Sequence, residues 1–218
     1  ILVTFESFIS INNMNQLKDK ALETMDTSSR QNYDDSIKEQ VGVVISLLSE
    51  INNEYKAGRY SLDEAKKIAA DEIRQMRYGE AGYFWVDQSD GKNIVLLGSS
   101  TEGTNRMNTK DAEGYQMVKE IIRVAVQDGG GYTDYVFPKE GETEASPKRS
   151  YSEYFKPFDW VVGTGNYTDY IDTAIAQQDE EFTSYASSKA ISLILCSVCM
   201  LIVVAILVAL IAIDITKS

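Results

Sequence analysis

Residues 190–213, AISLILCSVCMLIVVAILVALIAI, run for 24 positions without Asp, Glu, Lys, Arg, Asn, Gln, Gly or Pro. At about 1.5 Å rise per residue such a helix extends about 36 Å, enough to cross a hydrocarbon core of about 30 Å with some tilt. The segment is predicted to be a transmembrane helix, and its place late in the sequence excludes a signal peptide. Both cysteines, Cys196 and Cys199, lie inside it. One helical turn apart in lipid, they read as packing residues and not as a redox or metal site. The flanking Lys189 and Lys217 are too evenly placed to set orientation.

The absence of histidine excludes a His general base, a Ser-His-Asp triad and a His-containing zinc site. A formal charge of −12, from 21 Lys+Arg against 33 Asp+Glu, argues against a nucleic-acid surface. No nucleophile–base pair, metal-ligand cluster or cofactor motif is found, so the chain is expected not to be an enzyme and to need no cofactor. Near the N-terminus, Ile1, Leu2, Val3, Phe5, Phe8 and Ile9 form an apolar patch broken by Glu6. It reads as the end of a preceding transmembrane helix, or as the apolar face of a soluble one.

Met14, Leu17, Ala21 and Met25, then Ile37, Val41, Val44, Leu48, Ile51 and Tyr55, step by three and four and predict a long helix whose seam wants a partner. Such spacing suggests a parallel homodimer with residues 37–55 at or beside its axis. Val43 and Leu47 add a second apolar stripe. Ser61 and Glu64 form a capping box that opens a second helix reaching about Arg77. Beyond Gly79 the period becomes two. Five strands are expected, at 82–88, 93–98, 132–138, 149–155 and 160–165, with a helix capped by Asp111 between the second and third. From Tyr170 the chain is helical again and enters the span without Pro or Gly, so no flexible linker intervenes.

Five separately spaced runs make a resemblance specific: GRYSLDEA (58–65), RYGEAGYFWV (77–86), GGGYTDY (129–135), PKRSY (147–151) and WVVGTGNY (160–167). Together they resemble the single Cache, type 2, domains of bacterial and archaeal chemoreceptors and sensor kinases. The resemblance implies an α+β fold, with a long N-terminal helix packed on a PAS-like five-stranded antiparallel sheet and a C-terminal transmembrane helix after it. It also implies small-molecule sensing outside the cytoplasm, at the cell membrane. Many family members carry Met-His-Pro after the second strand, where this chain has LLGSS (96–100) and then EGTNR (102–106), so a histidine contact does not carry over. The organisation expected is an N-terminal helix at 1–34, a ligand-binding domain at 35–172, a connecting helix at 173–189, the span at 190–213 and the start of a cytoplasmic continuation at 214–218.

The first strand alternates Tyr83 and Trp85 with Phe84 and Val86, so one face offers a hydroxyl and an indole N–H. Arg77, Arg106 and Lys148 are the cations available to hold a carboxylate, with Tyr135, Tyr151 and Asn166 as further polar or aromatic wall. Each has a plainer reading: Arg77 pairing with Glu80 or Asp87, Arg106 solvated on its loop, the tyrosines in the core, Asn166 closing the last strand. The expected ligand is a small organic acid such as acetate, propionate or pyruvate. The expected role is the input region of a chemoreceptor; a histidine kinase or cyclase receptor with the same input domain, or a structural surface protein without a ligand, are the alternatives.

Overall fold

The computed structural model describes residues 2–139 and 141–217. The expectations for Ile1 and for Ser218 lie outside them. Two compact units divide the chain, residues 29–170 and residues 1–28 with 171–218.

In the first unit, α1 (Leu2–Lys56) supplies its later half and is followed by α2 (Leu62–Gln75). The Ser61–Glu64 capping box is present, each side chain bonding the other's backbone N–H. The sheet comprises β1 (Arg77–Tyr78), β2 (Gly82–Gln88), β3 (Asn93–Leu96), β4 (Gly131–Pro138), β5 (Ala145–Phe155) and β6 (Trp160–Tyr167). All pairings are antiparallel in the order β1-β2-β6-β5-β4, with β3 also on β2. The five expected strands are β2 to β6. The sixth, β1, is a two-residue ladder that doubles back at Gly79, whose φ of 55° suits glycine.

Strand alternation sorts the side chains onto two faces. On one, α3 (Met117–Asp128) lays Val118, Ile121, Ile122 and Ala125 over Trp85 and Val161. On the other lies α1. Its Tyr33 hydroxyl sits 2.7 Å from the Arg149 carbonyl and 2.8 Å from that of Asn166, while Asp34 pairs with the Arg149 guanidinium at 2.6 Å. Burial pushes the Tyr33 pKa well up, so the peg stays neutral.

Two expectations are corrected here. The seam Ile37, Val41, Val44, Leu48 and Ile51 is buried, 0–7% exposed, within a single copy of the chain. The partner that covers it is its own domain and not a second copy of the chain; Val43, 55% exposed, faces out. Asp111 does not cap α3, which begins six residues later. Its carboxylate instead accepts the N–H groups of Glu113 and Tyr115 in a side-chain turn and that of Val136, tying the loop to β4.

The second unit holds the start of α1 and most of α4 (Asp169–Lys217). Lys18 bonds Asp179 at 2.8 Å and Thr183 at 3.2 Å, beside an apolar groove formed by Met14, Leu17, Ala21, Phe182 and Tyr185. From 191 to 213 every side chain but the half-buried Ser197 is exposed, and the helix is long and apolar enough to cross a membrane.

Candidate functional site

A small cavity of ≈ 30 Å³ opens on the α3 face of the sheet. Its wall is contributed by β2 (Tyr83, Trp85), β4 (Tyr135, Phe137), β5 (Lys148) and the loop residue Arg106, and Met117, Val118 and Ile121 of α3 roof it. With about 10–15 Å³ needed per water-sized position, it holds two or three such positions. Alternation explains the set. Tyr135 and Lys148 are cross-strand partners, and Lys148 is in turn opposite Tyr167. On β6, Gly163 lies under the Trp85 indole, where a Cβ would come within 2.5 Å of the ring.

Lys148 dominates the electrostatics. It is 2% exposed, and among the described residues no carboxylate pairs with it. Its ammonium donates to the Tyr83 hydroxyl at 3.0 Å and lies 4.8–5.9 Å from the ring centres of Tyr83, Trp85, Phe137 and Tyr167. Those quadrupoles soften the burial of the charge without cancelling it. Burial, and secondarily the Arg106 charge, lowers the Lys148 pKa to about 8. Burial raises that of Tyr135, and pushes Tyr167 up to about 12, so both hydroxyls stay protonated.

The second cation is already engaged. Arg106 grips Asp87 bidentately, Nε to Oδ1 at 2.7 Å and Nη2 to Oδ2 at 2.6 Å, with Asp87 wholly buried. Nearby, the Trp85 indole N–H is buried and has no acceptor among the described residues. A wall with one uncompensated ammonium, neutral hydroxyls and apolar rings can hold a small anion by a charge-assisted bond while packing a short apolar tail.

Of the residues singled out by sequence, the structure brings together Tyr83, Trp85, Arg106, Tyr135 and Lys148. It leaves three elsewhere. Arg77 is exposed and donates to the Arg74 and Met76 carbonyls at the end of α2. Tyr151 and Asn166 face α1: Tyr151 packs its ring on Tyr132 under Lys38, and Asn166 accepts the Tyr167 N–H. Sequence reading considers Tyr167 beside Asn166 and Phe137 beside Tyr135 without placing either at the site, takes Asp87 only as a partner for Arg77, and misses the α3 roof. Phe137 was accessible in principle, because it shares its strand face with Tyr135, and Tyr167 could be placed only through its cross-strand pairing with Lys148. In place of the absent histidine motif, Leu96 lines the cavity and Glu102 closes the turn after it. That carboxylate accepts the Leu96 and Gly98 N–H groups and pairs with Arg74.

The model of the family described as Single Cache domain 2 matches residues 29–181. The methyl-accepting chemotaxis protein McpP of Pseudomonas putida is 30% identical over 123 residues, 56% of this chain and 23% of its own length. The sensor histidine kinase MctS of Rhizobium johnstonii is 30% identical over 170 residues, 77% of this chain and 36% of its own. The chain thus spans about a quarter and about a third of these two relatives. Among solved structures, a Cache chemosensory domain studied for its carboxylic acid recognition superposes with a TM-score of 0.61 at 26% identity, over 65% of this chain and 96% of that one. With the matched segment covering most of the sequence and an apolar helix following it, the chain belongs to the Single Cache domain 2 family, as a membrane-anchored sensor with its domain outside the cytoplasm.

Proposed function

We propose that this chain binds a short monocarboxylate, such as acetate, propionate or pyruvate, as the input region of a chemoreceptor. The observation that carries the reading is Lys148, a buried ammonium among aromatic rings with no carboxylate paired to it among the described residues. An anion restores the charge balance, and the ≈ 30 Å³ cavity restricts it to a few heavy atoms. The carboxylic acid recognition of the similar Cache domain supports the same class of ligand. Residues 35–172 then form the binding domain, 173–189 the connection and 190–213 the span. The kinase relative supports a second reading of the output, in which the same input domain drives phosphotransfer.

For acetate, four heavy atoms at a ceiling of about −1.5 kcal/mol each allow about −6 kcal/mol, a dissociation constant of some tens of micromolar at best. Calorimetry on the chain in lipid nanodiscs, with C2–C4 acids and the common amino acids, tests this. Binding of the short acids, lost at least tenfold in Lys148→Ala, is expected. Binding of amino acids alone, indifferent to Lys148, overturns the reading.

A further inference from the structure

Two cations line the cavity, yet they differ in what they have left to give. Lys148 faces neutral hydroxyls and rings, whereas two N–H groups of Arg106 are held by Asp87. Neither partner of that pair can easily turn away. Asp87 is 0% exposed and also accepts from Asn93 Nδ2 at 2.9 Å. The Arg106 backbone is fastened to the β2–β3 hairpin: its N–H donates to the Gly91 carbonyl at 2.9 Å, and the adjacent Asn105 bridges to Lys92. The charges at the wall therefore sum to that of one cation.

We infer that Asp87, acting through Arg106, sets the charge of the ligand, admitting a single carboxylate and refusing a second. The inference rests on the carboxylate reading above. A dicarboxylate would bring its second charge beside an Arg106 whose fork is occupied and an Asp87 that repels it. In a cavity this small little water can enter to screen the repulsion. Asp87 is thus a positioning residue that touches no ligand. Its side chain spends the second cation, so that the site distinguishes monoanions from dianions of similar length.

Charge counting makes a pattern that a packing role does not. Propionate and malonate affinities would be measured on the nanodisc-embedded chain for the wild type, Asp87→Asn, Arg106→Gln and the double variant, with thermal melts to establish folding. The wild type should prefer propionate at least tenfold. Asp87→Asn should shift that preference at least tenfold toward malonate. Arg106→Gln, which strands the Asp87 charge, should lose propionate at least tenfold. The double variant, restored to one net positive charge at Lys148, should regain most of that loss. Removing one member of a buried pair is far harsher on folding than replacing both, so the double variant decides the matter even where a single variant fails to fold. A folded double variant that binds propionate no better than a tenth as well as the wild type overturns the inference, as does an Asp87→Asn variant with an unmoved preference. If the wild type binds neither acid, it is the carboxylate reading that fails, not the charge count.

Discussion

Affinity for a carboxylate should fall as the pH rises through the titration of Lys148. Burial and the Arg106 charge hold this ammonium at about 8 in the ligand-free domain. A bound anion favours the charged form, so the liganded value lies higher. Between the two values binding takes up a proton, and Kd rises with pH at a slope approaching tenfold per unit. Below pH of about 7 both states are protonated and the slope vanishes. One unit above the ligand-free value only about one site in eleven carries its proton, which weakens binding ~10-fold, or ~1.4 kcal/mol. Tyr135 and Tyr167 add nothing in this window, because burial shifts both upward.

Folding carries the opposite sign. The unfolded chain holds its Lys148 proton up to the ordinary 10.5, so between about 8 and that value it binds more protons than the native state, and ligand-free stability rises with pH. At neutral pH the buried charge costs on the order of 3 kcal/mol. Titration calorimetry with propionate in two buffers of different ionisation heat, at several pH values from about 6.5 to about 9.5, counts the protons directly. Lys148→Met should flatten both the binding and the stability profiles. A wild-type affinity constant across that range, or proton release on binding, refutes the assignment of Lys148 as the anion's partner.

Cysteine at Val43 should crosslink between copies if the chain dimerises through the outer stripe of α1, whereas cysteine at the buried Val41 or Val44 should not, as read on a non-reducing gel. Gly163→Ala places a methyl 2.5 Å from the Trp85 ring and should cost about 1–3 kcal/mol in chemical denaturation, together with a loss of ligand affinity. Arg77→Ala should leave propionate affinity within twofold in the same calorimetry, since its guanidinium serves the end of α2.

The long helices, the capping box and the change of period at Gly79 were legible because each is written in local spacing. The apolar steps from Ile37 to Ile51 were equally clear, but spacing says only that a face is buried and is silent on what buries it. Here its own domain does, while Tyr33 and Asp34, just before that face, fasten the helix to β5 and β6. At the site, parity held information that residue type obscured. Lys148 and Tyr151 stand three apart on one strand and cannot share a face, and the same rule sets Asn166 against Tyr167. The pairing of Asp87 with Arg106 was invisible for another reason: Arg106 lies across a loop, and no periodicity connects them.

The sheet that carries this site is one chain thick, and its two sides report to different listeners. Lys148 stands at the cavity, while its covalent neighbour Arg149 grips Asp34 of α1. The residue that lines the cavity and the residue fastened to the long helix are therefore separated by a single peptide bond. Under the proposed reading, recognition and reporting are separable: substitution of Lys148 acts at the cavity, and substitution of Arg149 acts at the fastening to α1. One strand can thus change on its cavity side while its helix side is kept.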